Sequence, residues 1–245
     1  MKVLLLGGTS EARKLAAQLN RDERFEVTTS LAGRVIHPTL PVGNARIGGF
    51  GGVDGIVRWI RENAIEVMVD ATHPFASTIS RNADTAAEIA GIPLVVLRRP
   101  RWIPGPDDHW IEAATLNHAA ESVAATSRRT FLTIGRQGVP AFAHIDRTWF
   151  LIRSIDQPTG AMPRNCELML ARGPFELEQE IATMREHGID VVVTKNSGGV
   201  MTESKLIAAR ALSIPVVMIA RPPGPTGVYC TDSVVDLQTW LRSRL

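Results

Sequence analysis

Hydrophobic positions along the chain come in short unbroken runs such as KVLLL, VMVD and LVVL. Longer stretches separate them, with apolar residues at helical spacing. A strand that is apolar throughout, and not in alternation, is one buried on both faces of a parallel sheet. The runs predict strands at Lys2–Leu6, Glu26–Leu31, Ala45–Ile47, Val67–Asp70 and Leu94–Leu97, with helices at Glu11–Asn20, Val53–Asn63 and Ser77–Ala90. Strands spaced by helices make βαβ units with right-handed crossovers. The pattern breaks at LRRPRWIPGPDDHW (Leu97–Trp110), whose prolines, arginines and tryptophans read as a linker.

A second series follows. It predicts a helix at Leu116–Thr126 and strands at Thr130–Ile134, Trp149–Ile152, Glu167–Leu170, Asp190–Thr194 and Pro215–Ile219. Helices are expected at Phe175–His187 and Gly199–Ser213, and a last one at Ser233–Arg244 closes the second half. The fold class is α/β: two Rossmann-like parallel-sheet domains, 1–99 and 100–245, each five-stranded, with an active-site cleft between them. A single continuous ten-stranded sheet is the alternative. The 245 residues suffice for two such domains.

Composition narrows the classes. With 44% hydrophobic and 21% charged residues the chain has a globular balance, not that of a disordered segment. No apolar run reaches membrane-spanning length, and KVLLL is too short for a signal core, so a cytoplasmic protein without a leader is expected. Cys166 and Cys230 form no CxxC pair and the histidines show no ligand spacing, so no metal site is expected. A net charge of +2 gives no case for nucleic acid. The oligomeric state is open, a monomer included. Only four of the 27 basic residues are lysines, which makes a lysine at a strand end worth noting.

LLLGGTSEAR carries the first chemistry. Gly7 and Gly8 allow a tight turn with close backbone approach, Thr9 or Ser10 can cap the helix, and the helix N-terminus from Glu11 attracts an anion. A first βα turn in an open sheet is where dinucleotides bind, although GGTSEA is not a strict GxGxxG. NAD binders place a carboxylate at the end of the second strand. Here VTTSLAGRV offers Ser30 and Arg34 and no acid, which suits a 2′-phosphate and points to NADP. In VMVDATHPFAST, His73, Pro74 and Phe75 fall on the same rim.

The second half has its own strand-end cations: Arg136 in FLTIGRQG beside Thr133, Arg172 in LARGPF, Lys195 in VVVTKNSGG and Arg221 in IARPPGP. Strand ends on one edge of a parallel sheet converge, so these four make a basic wall for a ligand with several carboxylates. Lys195 can hold an anion or donate a proton. His144 and Asp146 in AFAHIDRTW have no role that spacing assigns.

LLLGGTSEAR, DATHPFA, IGRQG and TKNSGG, in this order and over essentially the whole chain, resemble the precorrin-6A reductase family of cobalamin biosynthesis. The resemblance implies an NADPH-dependent oxidoreductase that delivers hydride to a ring double bond of precorrin-6A, giving precorrin-6B. It implies a polycarboxylate tetrapyrrole-derived substrate and NADP(H) as cofactor, with no metal or flavin. On it, Gly7–Ser10 and Glu11 take the diphosphate, Ser30 and Arg34 the 2′-phosphate, and His73, Pro74, Phe75 and Thr133 the ribose and nicotinamide end. Arg136 and Lys195 face nicotinamide-side groups or substrate carboxylates. Ser10, Asp146, Lys195 and bound water are the candidates for the proton. A short-chain dehydrogenase is disfavoured, since Tyr229, the sole tyrosine, has Ser233 and not lysine four places on. A nucleotide-sugar glycosyltransferase would explain the second rim but not Ser30 and Arg34. A non-enzymatic NADP sensor would need only the first half.

Overall fold

In the computed structural model, which describes residues 1–33 and 36–245, β1 (Lys2–Leu6) shows why the apolar runs are unbroken. Val3 and Leu5 enter the core on one face of the sheet and Leu4 and Leu6 the core on the other. The chain continues through α1 (Ser10–Leu19), β2 (Glu26–Leu31), β3 (Asn44–Ile47), α2 (Val53–Glu62), β4 (Val67–Asp70), α3 (Ser77–Ala90) and β5 (Leu94–Leu97). A second run follows: β6 (Trp110–Ala113), α4 (Leu116–Thr126), β7 (Arg129–Thr133), β8 (Trp149–Ser154), β9 (Cys166–Leu170), α5 (Leu177–Glu186), β10 (Val191–Lys195), α6 (Ser204–Ala211) and β11 (Val216–Ile219). β12 (Tyr229–Thr231) and α7 (Val234–Arg242) close it.

The chain forms two units, Met1–Pro100 with Pro222–Leu245, and Arg101–Arg221. The first holds a six-stranded sheet in the order β12-β5-β4-β1-β2-β3, the second one in the order β6-β11-β10-β7-β8-β9. All pairings are parallel, as the both-face burial requires. The two-sheet α/β reading therefore holds and the single ten-stranded sheet does not.

Three expectations are corrected. Each sheet has six strands, not five. β6 begins at the last residue of the stretch read as a linker, and β12 is three residues, Tyr-Cys-Thr, in a proline- and glycine-rich tail. Both are edge strands, half covered at most, so neither leaves an apolar run to read. Residues 222–245 belong to the first unit, not the second. β12 pairs with β5, and α7 buries Val234, Leu237 and Leu241 in the core that holds Leu15, Leu19 and Val95. An amphipathic pattern shows that a helix has a partner, but not which one.

Within the second unit, the proline-rich segment is fastened to α6 through Asp108. Arg210 Nε and Nη2 donate to its two carboxylate oxygens at 3.0 and 2.7 Å, and Gly105 N–H donates at 2.8 Å. Burial alone would raise the Asp108 pKa, but the Arg210 guanidinium and the Gly105 amide outweigh it and hold it below the ordinary value. A carboxyl group lowered on folding stabilises above its unfolded pKa and loses that contribution as pH falls through the folded one. Unfolding midpoints should therefore be flat from neutral pH to about pH 5, then fall more steeply in the wild type than in Asp108→Asn. Parallel curves would show that the contact contributes nothing.

Candidate active site

In the first sheet the strand order reverses between β1 and β4, and in an open α/β sheet the crevice beyond the carboxyl ends at such a point is the place for a ligand. The β1–α1 turn is built for close approach. Gly8 has φ +116°, and a Cβ on Gly7 would stand 2.9 Å from Thr29 Cγ2. Ala12 is buried behind the turn, so the helix start lies close to the sheet. Thr9, and not Ser10, is the cap: its hydroxyl accepts from Ala12 N–H at 3.1 Å and donates to the Ala71 carbonyl at 2.8 Å, tying the turn to the end of β4. Beyond the Ala12 N–H that the cap takes, the Ser10 and Glu11 N–H groups that open α1 have no intrahelical acceptor, an arrangement that attracts an anion. Glu11 does not spoil it, because Arg99 Nη1 neutralises its carboxylate at 3.2 Å. The Ser10 hydroxyl donates to the same carboxylate oxygen at 3.1 Å.

β4 ends in Asp70, a carboxylate 3% exposed whose Oδ1 accepts from both the N–H and the hydroxyl of Thr72, at 3.0 and 2.7 Å. This shapes the Thr72–Phe75 loop. His73 Nδ1 accepts from Phe75 N–H at 3.3 Å, and the His73 and Phe75 rings lie 5.9 Å apart. A cavity of about 280 Å³ opens beside this loop, lined by Asp70, Thr72, His73, Pro74, Ser80 and Arg98 among others. At the end of β2, Ser30 is buried and bound by Arg46 of β3. Arg34 lies outside the described residues.

The second sheet reverses between β10 and β7. Lys195 is the last residue of β10, and Gly198 and Gly199 beyond it have φ of +67° and +78°. Asn196 clamps the loop. Its side chain bonds both the N–H and the carbonyl of Trp102, and Arg221 Nε donates to its carbonyl at 2.6 Å. Thr133 ends β7 with its hydroxyl donating to Val193 O at 3.0 Å. Arg136 follows, 4.0 Å from Asp156. Arg221, Lys195 and Arg136 thus follow three neighbouring strands, β11, β10 and β7, while Arg172 follows the edge strand β9.

Asp146 is not brought to this rim. It stands three residues ahead of β8, at the amino edge of the sheet, and its carbonyl accepts from Asn165 Nδ2. His144 precedes it on the same crossover. Sequence reasoning missed three residues that shape the site: Asp70, Asn196 and Arg46. The first two stand inside DATHPFA and TKNSGG and were within reach. Arg46 sits in the unremarkable NARI, where only the β2–β3 pairing shows its place.

The two sheets, each with a glycine-bearing strand–turn–helix or strand–loop at its switch point, define a two-unit Rossmann-like α/β protein. Over residues 2–242 it matches the family model described as Precorrin-6x reductase CbiJ/CobK, and the chain belongs to that family. It is 57% identical over 240 residues to the precorrin-6A reductase of Rhodococcus erythropolis, covering 98% of this chain and 97% of the relative. The figure for the precorrin-6A reductase of Mycobacterium tuberculosis is 51% over 242 residues, covering 98% and 97%. The solved structure "CobK precorrin-6A reductase" superimposes with a TM-score of 0.92 at 36% identity, covering 99% of this chain and 96% of that one. The chain is accordingly an oxidoreductase of cobalamin biosynthesis acting on a CH–CH group, with a nicotinamide cofactor. Among the described residues no helix is long and apolar enough to cross a membrane.

Proposed function

We propose that the chain reduces metal-free precorrin-6A to precorrin-6B and that NADPH is its hydride source. The observation that carries the cofactor reading is the β1–α1 turn, whose cap hydroxyl is used internally while the opening N–H groups of α1 are left for a diphosphate. The end of β2 supports NADPH over NADH, since Ser30 stands where an NAD site needs a carboxylate. Metal-free substrate is favoured by kinship: the chain is 57% and 37% identical to two precorrin-6A reductases, and 30% and 26% identical to two cobalt-precorrin-6A reductases.

NADPH, when bound, supplies the hydride, and the chain supplies position and charge. Gly8, Thr9, Ser10 and Glu11 present backbone N–H groups to the diphosphate, and Gly7, whose own N–H donates to Ser30 O at 2.9 Å, leaves the room for its approach. Ser30 and Arg34 take the 2′-phosphate. On the first unit His73, Pro74 and Phe75 are assigned to the ribose and nicotinamide end, and on the second Thr133 is assigned to nicotinamide-side groups. Arg136 and Lys195 hold substrate carboxylates or nicotinamide-side groups. The proton that accompanies the hydride is held at Lys195 Nζ. Asp146 lies at the wrong edge of its sheet, and the Ser10 hydroxyl is spent on Glu11.

Equilibrium titration with NADPH and NADH tests this reading. NADPH should bind at least about tenfold more tightly, a difference of about 1.4 kcal/mol, and Arg34→Ala should erase most of it. Equal affinities in the wild type would overturn the NADPH assignment.

A further inference from the structure

Ser30 and Arg46 face each other in register across β2 and β3. Arg46 Nη1 donates to Ser30 Oγ at 2.7 Å and to Gly48 O at 3.0 Å, and Nη2 donates to Gly49 O at 3.1 Å. Its guanidinium carbon lies 3.8 Å from the Phe50 ring centre and 5.0 Å from that of Trp59. Three acceptors and two rings leave this cation little freedom, in a geometry that lysine cannot reproduce.

The consequence falls on Ser30, which is 6% exposed. A guanidinium can only donate, so Ser30 Oγ is the acceptor in this bond and its own proton must turn elsewhere. Among the described residues no group accepts that proton. Within the described residues the end of β2 therefore presents a buried hydroxyl donor without an acceptor, with a fixed positive charge directly behind it. A buried donor so placed calls for an acceptor, and the charge calls for an anionic one. The 2′-hydroxyl of NADH is neutral and gains little from the charge, whereas a 2′-phosphate meets both needs.

We propose that Arg46 is a specificity-determining residue for the nucleotide: it fixes the polarity of Ser30 and supplies the charge that selects a 2′-phosphate. This rests on the NADPH reading above and adds a second cation, distinct from Arg34. Arg46 thus does work that the arginine after β2 was expected to do alone.

The test is titration of wild type, Arg46→Gln and Ser30→Ala with NADPH and NADH, at low and high salt. Glutamine can still donate to Ser30 and fill space over Phe50, but it carries no charge. The expected result is a loss of NADPH affinity of about tenfold in each variant, with NADH changed less than about threefold. Arg46→Gln should also flatten the salt dependence of NADPH binding. Equal losses for both nucleotides in Arg46→Gln would mean that Arg46 only props up the Gly48–Phe50 turn, and would overturn the proposal. An unchanged NADPH to NADH ratio in both variants, with a wild type that prefers NADPH, would overturn it while leaving the NADPH reading intact. A wild type without preference would remove the reading on which it rests. Ser30→Ala leaves the Arg46 scaffold in place, so the question stays decidable if Arg46→Gln does not fold.

Discussion

Glu180→Ala should lower the unfolding free energy by about 3–5 kcal/mol, the cost of leaving a buried charge without its partner. Glu180 on α5 and Arg153 on β8 are 2% and 6% exposed and pair through Nη1 and Nη2 of the guanidinium, the second contact at 3.0 Å. The Arg153 guanidinium is enclosed by Phe131 and Phe175, at 4.7 and 3.7 Å, so water cannot replace the lost carboxylate. Replacing both members, as in Arg153→Met with Glu180→Leu, should recover most of the loss, because the penalty lies in the unpaired charge and not in the absence of the pair. Chemical denaturation of the three proteins checks this. A loss under about 1 kcal/mol in Glu180→Ala would show that solvent reaches Arg153 after all.

Gly7→Val should weaken NADPH binding by about a hundredfold or more, about 2.7 kcal/mol, while the protein remains folded. The first added carbon alone would stand 2.9 Å from Thr29 Cγ2 and 3.5 Å from Leu31 Cδ2, and the branched methyls have less room still. The turn must then lift from β2, carrying with it Thr9 and the tie to Ala71. The opening N–H groups of α1 move from the place where an anion would sit, and their directional contribution is lost. Substrate affinity measured without nucleotide should change little. Equal loss of both would mean general unfolding and not a damaged cofactor turn.

The parallel sheets were legible because burial on both faces writes continuous apolar runs, and Leu4, Leu5 and Leu6 are among the most deeply buried side chains. The edge strands were not, since β12 has no apolar run and takes its form from β5. α7 was legible as a helix, yet its return to the first unit was invisible, because partner choice is a tertiary property. The glycine turn was readable in its chemistry but not in its division of labour. Only the hydrogen bonds show Thr9 as the cap and Ser10 as turned to Glu11. Asp146 looked suitable by residue type alone, and the strand direction of β8 places it at the opposite edge. Arg46 escaped because its meaning depends on a cross-strand neighbour sixteen residues away.

On the reading proposed above, the first unit's β1–α1 turn holds the NADPH from which precorrin-6A is reduced. Single-turnover reduction tests it most directly, with wild type and Gly7→Val each mixed with NADPH and then given precorrin-6A. The wild type should consume one NADPH for each precorrin-6B formed, and Gly7→Val should reach a comparable rate only at nucleotide concentrations about a hundredfold higher. Turnover in Gly7→Val at wild-type nucleotide concentrations, or wild-type turnover equally rapid with NADH, would contradict it.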